Sequence, residues 1–150
     1  MLRLSKLADY GTQVMTYMAR DQAVHSATEV AASLGIAAPT VSKILKMLVR
    51  KSLVASVLGA KGGYMLARDP VAITIAEIVN AMDGPIAITE CSGTTTATCD
   101  RESTCSTRSN WQGINHIIQD ALEQVNLAQM IAPKQQVVDM SALRTRDAYV

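Results

Sequence analysis

Three thiols lie within a fifteen-residue stretch of the chain, as Cys91-x7-Cys99-x5-Cys105. Thiolates are soft ligands for zinc and for iron–sulfur clusters, and they are also the nucleophiles of redox switches. The spacing is wider than that of a zinc ribbon, whose cysteine pairs stand about two to four residues apart. Three thiols leave one coordination position to another residue. His116 and His25 are candidates by type alone, and each reads as an ordinary surface histidine. From Thr89 to Asn110 there is no Val, Ile, Leu or Met, but Ser and Thr abound. Such a segment cannot bury its cysteines in a core of its own. Iron–sulfur ligation, zinc ligation and a thiol switch therefore all stay open. An odd, closely spaced set also counts against a disulfide framework.

A second set of residues has the spacing of a helix-turn-helix, from Thr28 to Leu45. Ala31 or Ala32 is small where two helices must cross, and Gly35 allows the tight turn between them. Ile36, Val41 and Ile44 then pin the second helix onto the first, which leaves its outward N-terminal face for a DNA major groove. Thr40, Ser42 and Lys43 are placed to reach base edges there. Lys46, Arg50 and Lys51 are placed to neutralise phosphates, which adds affinity without sequence choice. Beyond them, Gly59-Ala60-Lys61-Gly62-Gly63 forms a hairpin tip that presents Lys61 to a minor groove. Ser5, Lys6, Thr28, Pro39 and Gly62 complete the set expected to meet double-stranded DNA. The bland alternative is a three-helix bundle with a solvated basic face; the glycine-rich hairpin speaks against it.

The elements that must position these groups are readable from periodicity. Leu4 to Arg20 carries an apolar stripe of Leu4, Leu7, Ala8, Val14, Met15 and Met18 and is predicted helical. Ala27–Leu34 is a short second helix, started by Ser26 or Thr28 and stopped by Gly35; Pro39 opens a third that runs to about Lys51. Strands are predicted at Leu53–Leu58 and Tyr64–Ala67, and a fourth helix at Ile75–Met82, ended by Gly84-Pro85. After the polar segment, Ser109 and Gln112 have capping-box spacing. Trp111, Ile114, Ile117, Ile118, Ala121, Leu122, Val125, Ala128 and Ile131 then form one continuous apolar face of a long helix. The fold class is mainly α with a small β-wing: a winged helix-turn-helix followed by a long C-terminal helix.

Charge follows the same division. Residues 1–68 hold nine Lys/Arg against three acids, whereas residues 69–150 hold five against ten. A basic front and an acidic back fit a chain whose front alone meets a polyanion. Phe is absent, so the core is aliphatic. The first twenty residues alternate polar and apolar without an uninterrupted apolar region, and no run approaches the ~18 apolar residues of a membrane span. The expected location is the cytoplasm, with no membrane partner. Neither a CxxC nor a paired acid, base or nucleophile constellation is present, so the chain is not expected to be an enzyme.

These residues resemble a known family, the IscR/NsrR-type winged-helix regulators, and within it the SUF-system branch. The similar segments are Leu4-Ser5-Lys6-Leu7-Ala8-Asp9-Tyr10-Gly11, Leu53-Val54-Ala55-Ser56-Val57, Lys61-Gly62-Gly63-Tyr64-Met65-Leu66-Ala67 and Ile75-Ala76-Glu77-Ile78-Val79. The three-cysteine segment followed by Asn110-Trp111-Gln112-Gly113-Ile114-Asn115 points to the SUF branch. The resemblance spans about residues 1–131. It implies an iron–sulfur cluster, 2Fe-2S or 4Fe-4S, on Cys91, Cys99 and Cys105. It also implies a homodimer paired through Trp111, Ile114, Ile117, Ile118, Ala121, Leu122 and Val125. Some members add a histidine three residues after the last cysteine, where this chain has Arg108. NsrR-type members instead take an aspartate from the partner's first helix, and Asp9 stands at the matching position. Many members carry an arginine before the first wing glycine, where this chain has Leu58. That substitution shifts sequence choice to Thr40, Ser42 and Lys43 and leaves Lys61 a phosphate contact.

The implied organisation is a DNA-binding domain over 1–83, a cluster segment over 84–110, a dimerisation helix over 111–132 and a loose tail over 133–150. The implied function is a DNA-binding transcription regulator sensing cluster status, with iron–sulfur assembly genes as targets. The alternatives are a nitric-oxide or redox-responsive repressor on the same scaffold, or a DNA-binding protein with structural zinc.

Overall fold

The structure is a computed structural model that describes residues 3–92, 99 and 104–132. The expected tail over 133–150 lies outside the described residues. Helix α1 (Lys6–Met18) begins where the Ser5 hydroxyl accepts from the Ala8 amide, and it buries Ala8, Gly11, Val14, Met15 and Met18. Helix α2 (Ala27–Leu34) starts in a capping box. Ser26 accepts from the Glu29 amide while the Glu29 carboxylate accepts from the Ser26 amide, so two orphan donors are satisfied together. Of the two starters considered, Ser26 is the cap. The helix stops at Gly35, whose φ of 65° is the left-handed conformation that favours glycine.

Helix α3 (Ala38–Arg50) follows, with Pro39 in its first turn, where a missing N–H costs nothing. Strands β1 (Val54–Val57) and β2 (Gly63–Leu66) pair antiparallel, Val54 opposite Leu66 and Val57 opposite Gly63. A 3-10 turn over Pro70–Ala72 leads into α4 (Ile75–Asp83), which has its own capping box between Thr74 and Glu77. A second 3-10 turn covers Glu90–Ser92. Helices α5 (Arg108–Glu123) and α6 (Leu127–Ile131) end the described chain.

One aliphatic core joins these elements. Met15, Met18, Ile44, Leu45, Leu48, Leu53, Ile73, Ile78 and Leu127 are among its fully buried side chains. Helix α1 is its centre, packed against α3 and α4. Among the described residues no helix is long and apolar enough to cross a membrane.

The C-terminal region differs from expectation in two ways. Helix α5 begins at Arg108 rather than Trp111, and its N-cap Thr107 makes no side-chain cap bond. The expected Ser109–Gln112 capping box is therefore absent; the Ser109 hydroxyl donates to Asn110 Oδ1 at 3.3 Å instead. The expected single helix is also broken between Glu123 and Leu127. Here the chain bonds sideways to the segment before α4, with Ile75 N donating to Val125 O (2.9 Å) and Leu127 N to Ile73 O (2.8 Å). Asn126 then restarts the helix in a capping box with Gln129. The break turns Leu127 into the core.

Candidate nucleic-acid interface and metal centre

Helix α3 divides as its periodicity demands. Val41, Ile44, Leu45 and Leu48 are fully buried, which fixes the helix on α1 and α2. Its opposite side leaves Pro39, Lys43, Lys46 and Arg50 exposed and Thr40 and Ser42 half-buried. Pro39, Ser42, Lys43, Lys46, Met47 and Arg50 line one open depression, so five of the expected contact residues and one neighbour, Met47, share a surface. The helix contains no acid, and its N-terminus carries the positive end of the backbone dipole. The surface therefore suits an anionic backbone. Thr28 and Lys6 are exposed. Ser5 is committed to the fold: its hydroxyl caps α1 and donates to Asp83 Oδ1 at 2.6 Å.

The hairpin places Leu58 and Lys61 at its tip, with Gly59 at a φ of 112° and Gly62 half-buried. Leu58 is 94% exposed, standing in water where the related regulators were expected to carry an arginine. The hairpin is not free-standing. His25 pairs with Tyr64 as an added strand residue, each amide donating to the other's carbonyl at 2.8 Å. His25 is therefore buried, 3% exposed, and the expectation of a surface histidine is corrected. Its ring lies between two carboxylates, Nε2 at 2.9 Å from Asp21 Oδ1 and Nδ1 at 2.9 Å from Glu29 Oε1. Burial works against the imidazolium, but the Glu29 and Asp21 carboxylates outweigh it and hold the His25 pKa above the ordinary value. The Tyr17 ring meets it edge-on at 5.2 Å. The other histidine, His116, is exposed as expected.

The three cysteines are half-buried and not joined in disulfides. Cys91 sits in the Glu90–Ser92 turn with its sulfur 3.4 Å from the Thr89 hydroxyl, and the Cys105 sulfur lies 3.4 Å from the Thr107 hydroxyl. The Cys91 turn is anchored by Asn115 of α5, a buried polar residue. Asn115 Nδ2 donates to the carbonyls of Ile86 (3.0 Å) and Ser92 (3.4 Å), and its Oδ1 accepts from the Ile88 amide (3.1 Å). Among the described residues no three His, Cys, Asp or Glu side chains converge as a metal site within the chain. Asp9 is exposed on α1 and accepts from Gln13 Nε2 at 3.2 Å. As a donor set, three thiols in a polar segment fit a soft metal or an iron–sulfur cluster.

Helix α5 buries only Asn115 fully. Ile118, Ala121 and Leu122 on α5, and Val125 just beyond it, are half-buried; α5 packs on α4, and Leu122 and Val125 lie against the core. Trp111, Ile114 and Ile117 are 41%, 41% and 49% exposed. The expected continuous face is thus divided between this chain's own body and water.

The sequence offers His25 only as a ligand candidate by type and Asn115 only within a similar segment, and the structural role of neither is legible there. Asp21, His25 and Glu29 recur at a spacing of four, which was visible, but burial of the ring depends on β2 and was not. Asn115 falls between Ile114 and Ile117 and takes the buried position that periodicity assigns to an apolar residue.

A helix-turn-helix with a cationic second helix, followed by a glycine-bearing hairpin, defines a winged-helix DNA-binding protein. The chain belongs to the Rrf2 family of iron-dependent transcriptional regulators, which it matches over residues 4–133. It is 31% identical over 147 residues to an HTH-type transcriptional regulator, ORF2, of Azotobacter vinelandii, covering 94% of this chain and 87% of that one. It is 28% identical over 132 residues to the HTH-type transcriptional regulator IscR of Yersinia pestis, covering 84% and 79%. Among solved structures it is similar to T. potens IscR, at a TM-score of 0.68 and 26% identity over 90% of this chain and 94% of that one. The global cysteine regulator CymR of B. subtilis shares the fold, with a TM-score of 0.71 at 24% identity over 90% of this chain and all of that one. The protein is an IscR-like regulator of transcription with DNA as its partner.

Proposed function

We propose that the protein is a homodimeric regulator that reads iron–sulfur cluster status and controls iron–sulfur assembly genes of the SUF type. The observation that carries this reading is the trio of half-buried thiols outside any disulfide, the turn of the first being tied by Asn115 to α5. In this reading Cys91, Cys99 and Cys105 give up their protons and bind as thiolates, and Asp9 of the partner subunit supplies the fourth ligand. When bound, an iron–sulfur cluster supplies a redox-labile crosslink between these ligands. Residues 111–132 hold the dimer together, 84–110 form the sensing segment, 1–83 bind DNA and 133–150 form the tail.

At the DNA, Thr40, Ser42 and Lys43 read base edges. Lys6, Lys46, Arg50 and Lys61 meet phosphates, and Thr28, Pro39 and Gly62 line the approach. Ordering of the cysteine segment against the partner's α1 would set the distance between the two α3 helices, which a two-fold site requires to be about 34 Å or a multiple. Ligand loss then shifts the population of DNA-competent dimers.

Anaerobically prepared full-length protein is expected to be brown, with visible absorption and near-stoichiometric iron and sulfide. Asp9→Ala is expected to hasten the loss of that absorption in air while sedimentation still reports a dimer. A colourless preparation that carries zinc overturns the cluster reading. Unchanged lability in Asp9→Ala overturns only the fourth ligand.

A further inference from the structure

The proposed DNA interface has two parts, α3 and the hairpin, and one residue outside both ties the hairpin to α2, on which α3 packs. His25 lies in the loop between α1 and α2. Its backbone makes two bonds to Tyr64 of β2, and its ring bonds Glu29 in the first turn of α2. The fit is close: a Cβ on Gly63 would stand 2.5 Å from the His25 carbonyl oxygen, so the hairpin approaches the loop nearer than any other residue allows. A chain of polar contacts extends from this point. The Ser33 hydroxyl donates to the Tyr17 hydroxyl, which donates to Glu29 Oε1, and Asp21 Oδ1 accepts from the Ala23 amide.

We propose that His25 is a positioning residue for DNA binding, clamping the hairpin to α2 so that wing and recognition helix reach the duplex as one body. The proposal rests on the DNA-interface reading above. Two carboxylates need two donors, and a neutral imidazole has one. Only the imidazolium satisfies both sides. The ionisable groups that face it are Asp21 from the loop, Glu29 from α2 and the Tyr17 phenol from α1; β2 presents the backbone of Tyr64. Both carboxylate side chains are well exposed, 60% for Asp21 and 49% for Glu29. When the proton leaves, one carboxylate faces a lone pair and is free to turn into water, and the loop loses a tether. The carboxylates hold the His25 pKa above the ordinary histidine value, so the release comes at higher pH than for a solvated histidine.

The test uses the full chain and a duplex selected from random-sequence DNA by the wild-type protein. Affinity is measured against pH, alongside exchange of the Tyr64 amide, without DNA and corrected for intrinsic rates. Wild-type affinity is expected to fall about three- to tenfold as His25 loses its proton, with Tyr64 protection falling in parallel. His25→Gln is expected to bind at the weakened level throughout, with a flat profile. Asp21→Asn, at an exposed position, is expected to move the midpoint to lower pH. Gly63→Ala is expected to remove Tyr64 protection at every pH, which keeps the clamp testable should His25→Gln not fold. A wild-type profile in His25→Gln, or an unmoved midpoint in Asp21→Asn, overturns the proposal, as does Tyr64 protection that does not follow affinity. If Lys43→Ala with Lys46→Ala leaves binding unchanged, the DNA-interface reading fails instead, and Tyr64 protection still decides the clamp.

Discussion

The Asp21–His25–Glu29 trio gives stability a definite pH window. The His25 pKa is raised, burial opposing and the two carboxylates prevailing. Its contribution is complete below the unfolded histidine pKa and is lost as pH rises through the higher folded value. Glu29 is lowered, chiefly by its bond to His25, and Asp21 chiefly by the Ala23 amide and then by His25. Their contributions are complete above the unfolded carboxylate pKa and are lost as pH falls through the folded values. Urea midpoints are therefore expected to decline on both the acid and the alkaline side. Glu29→Gln is a clean probe because glutamine also serves a capping box. It removes one of the two groups that favour the imidazolium, so the alkaline decline is expected to begin at lower pH while circular dichroism is unchanged. An alkaline limb that stays in place would show that another group titrates there. The residue types and spacing of this trio stand in the sequence, but its energetics do not, because they come from a strand pairing between residues 39 positions apart.

At the level of elements, the N-terminal half is legible because local signals and packing agree. Ser26, Gly35, Pro39 and Gly84 mark ends that the structure reproduces to within a residue or two. The C-terminal half is less legible because a pattern with helical period runs unbroken from Trp111 to Ile131 while the backbone does not. What breaks it is the pairing of Thr74 with Asn126, a contact that no local pattern records. The gain is burial of Leu127, which sits at 0% exposure beside Ile73. Leu127→Ala is expected to cost about 2–5 kcal/mol, the range for emptying a fully packed leucine site, measured by urea unfolding of the full chain. A loss below about 0.5 kcal/mol, the usual limit for surface changes, would mean that α6 does not depend on the core. The cysteine segment shows the other limit of sequence reading. Its thiols are identifiable by type, whereas their anchor is an asparagine on a helix 24 residues away from Cys91.

For the whole molecule, two asymmetries point the same way. The first 68 residues carry nine basic groups against three acidic ones, and the remainder five against ten. The exposed apolar side chains of α5 lie in the second, acidic part. Trp111, Ile114 and Ile117, each more than two-fifths exposed, form a larger strip than isolated surface residues require. A second copy of the chain covering this strip would carry two cationic α3 surfaces on one particle. Ile114→Glu with Ile117→Glu places two charges on the strip at positions that a monomer leaves in water, so folding is expected to survive. Sedimentation is expected to report a monomer at micromolar concentration. Each bound phosphate contributes roughly −0.9 to the slope of log affinity against log salt. A monomer that keeps one α3 surface should therefore show about half the wild-type slope, together with a large loss of affinity for a two-fold site. If the variant stays dimeric, the pairing surface lies elsewhere. A monomer with an undiminished slope would mean that one subunit already makes all the phosphate contacts, and the dimer would then serve the sensor rather than the grip on DNA.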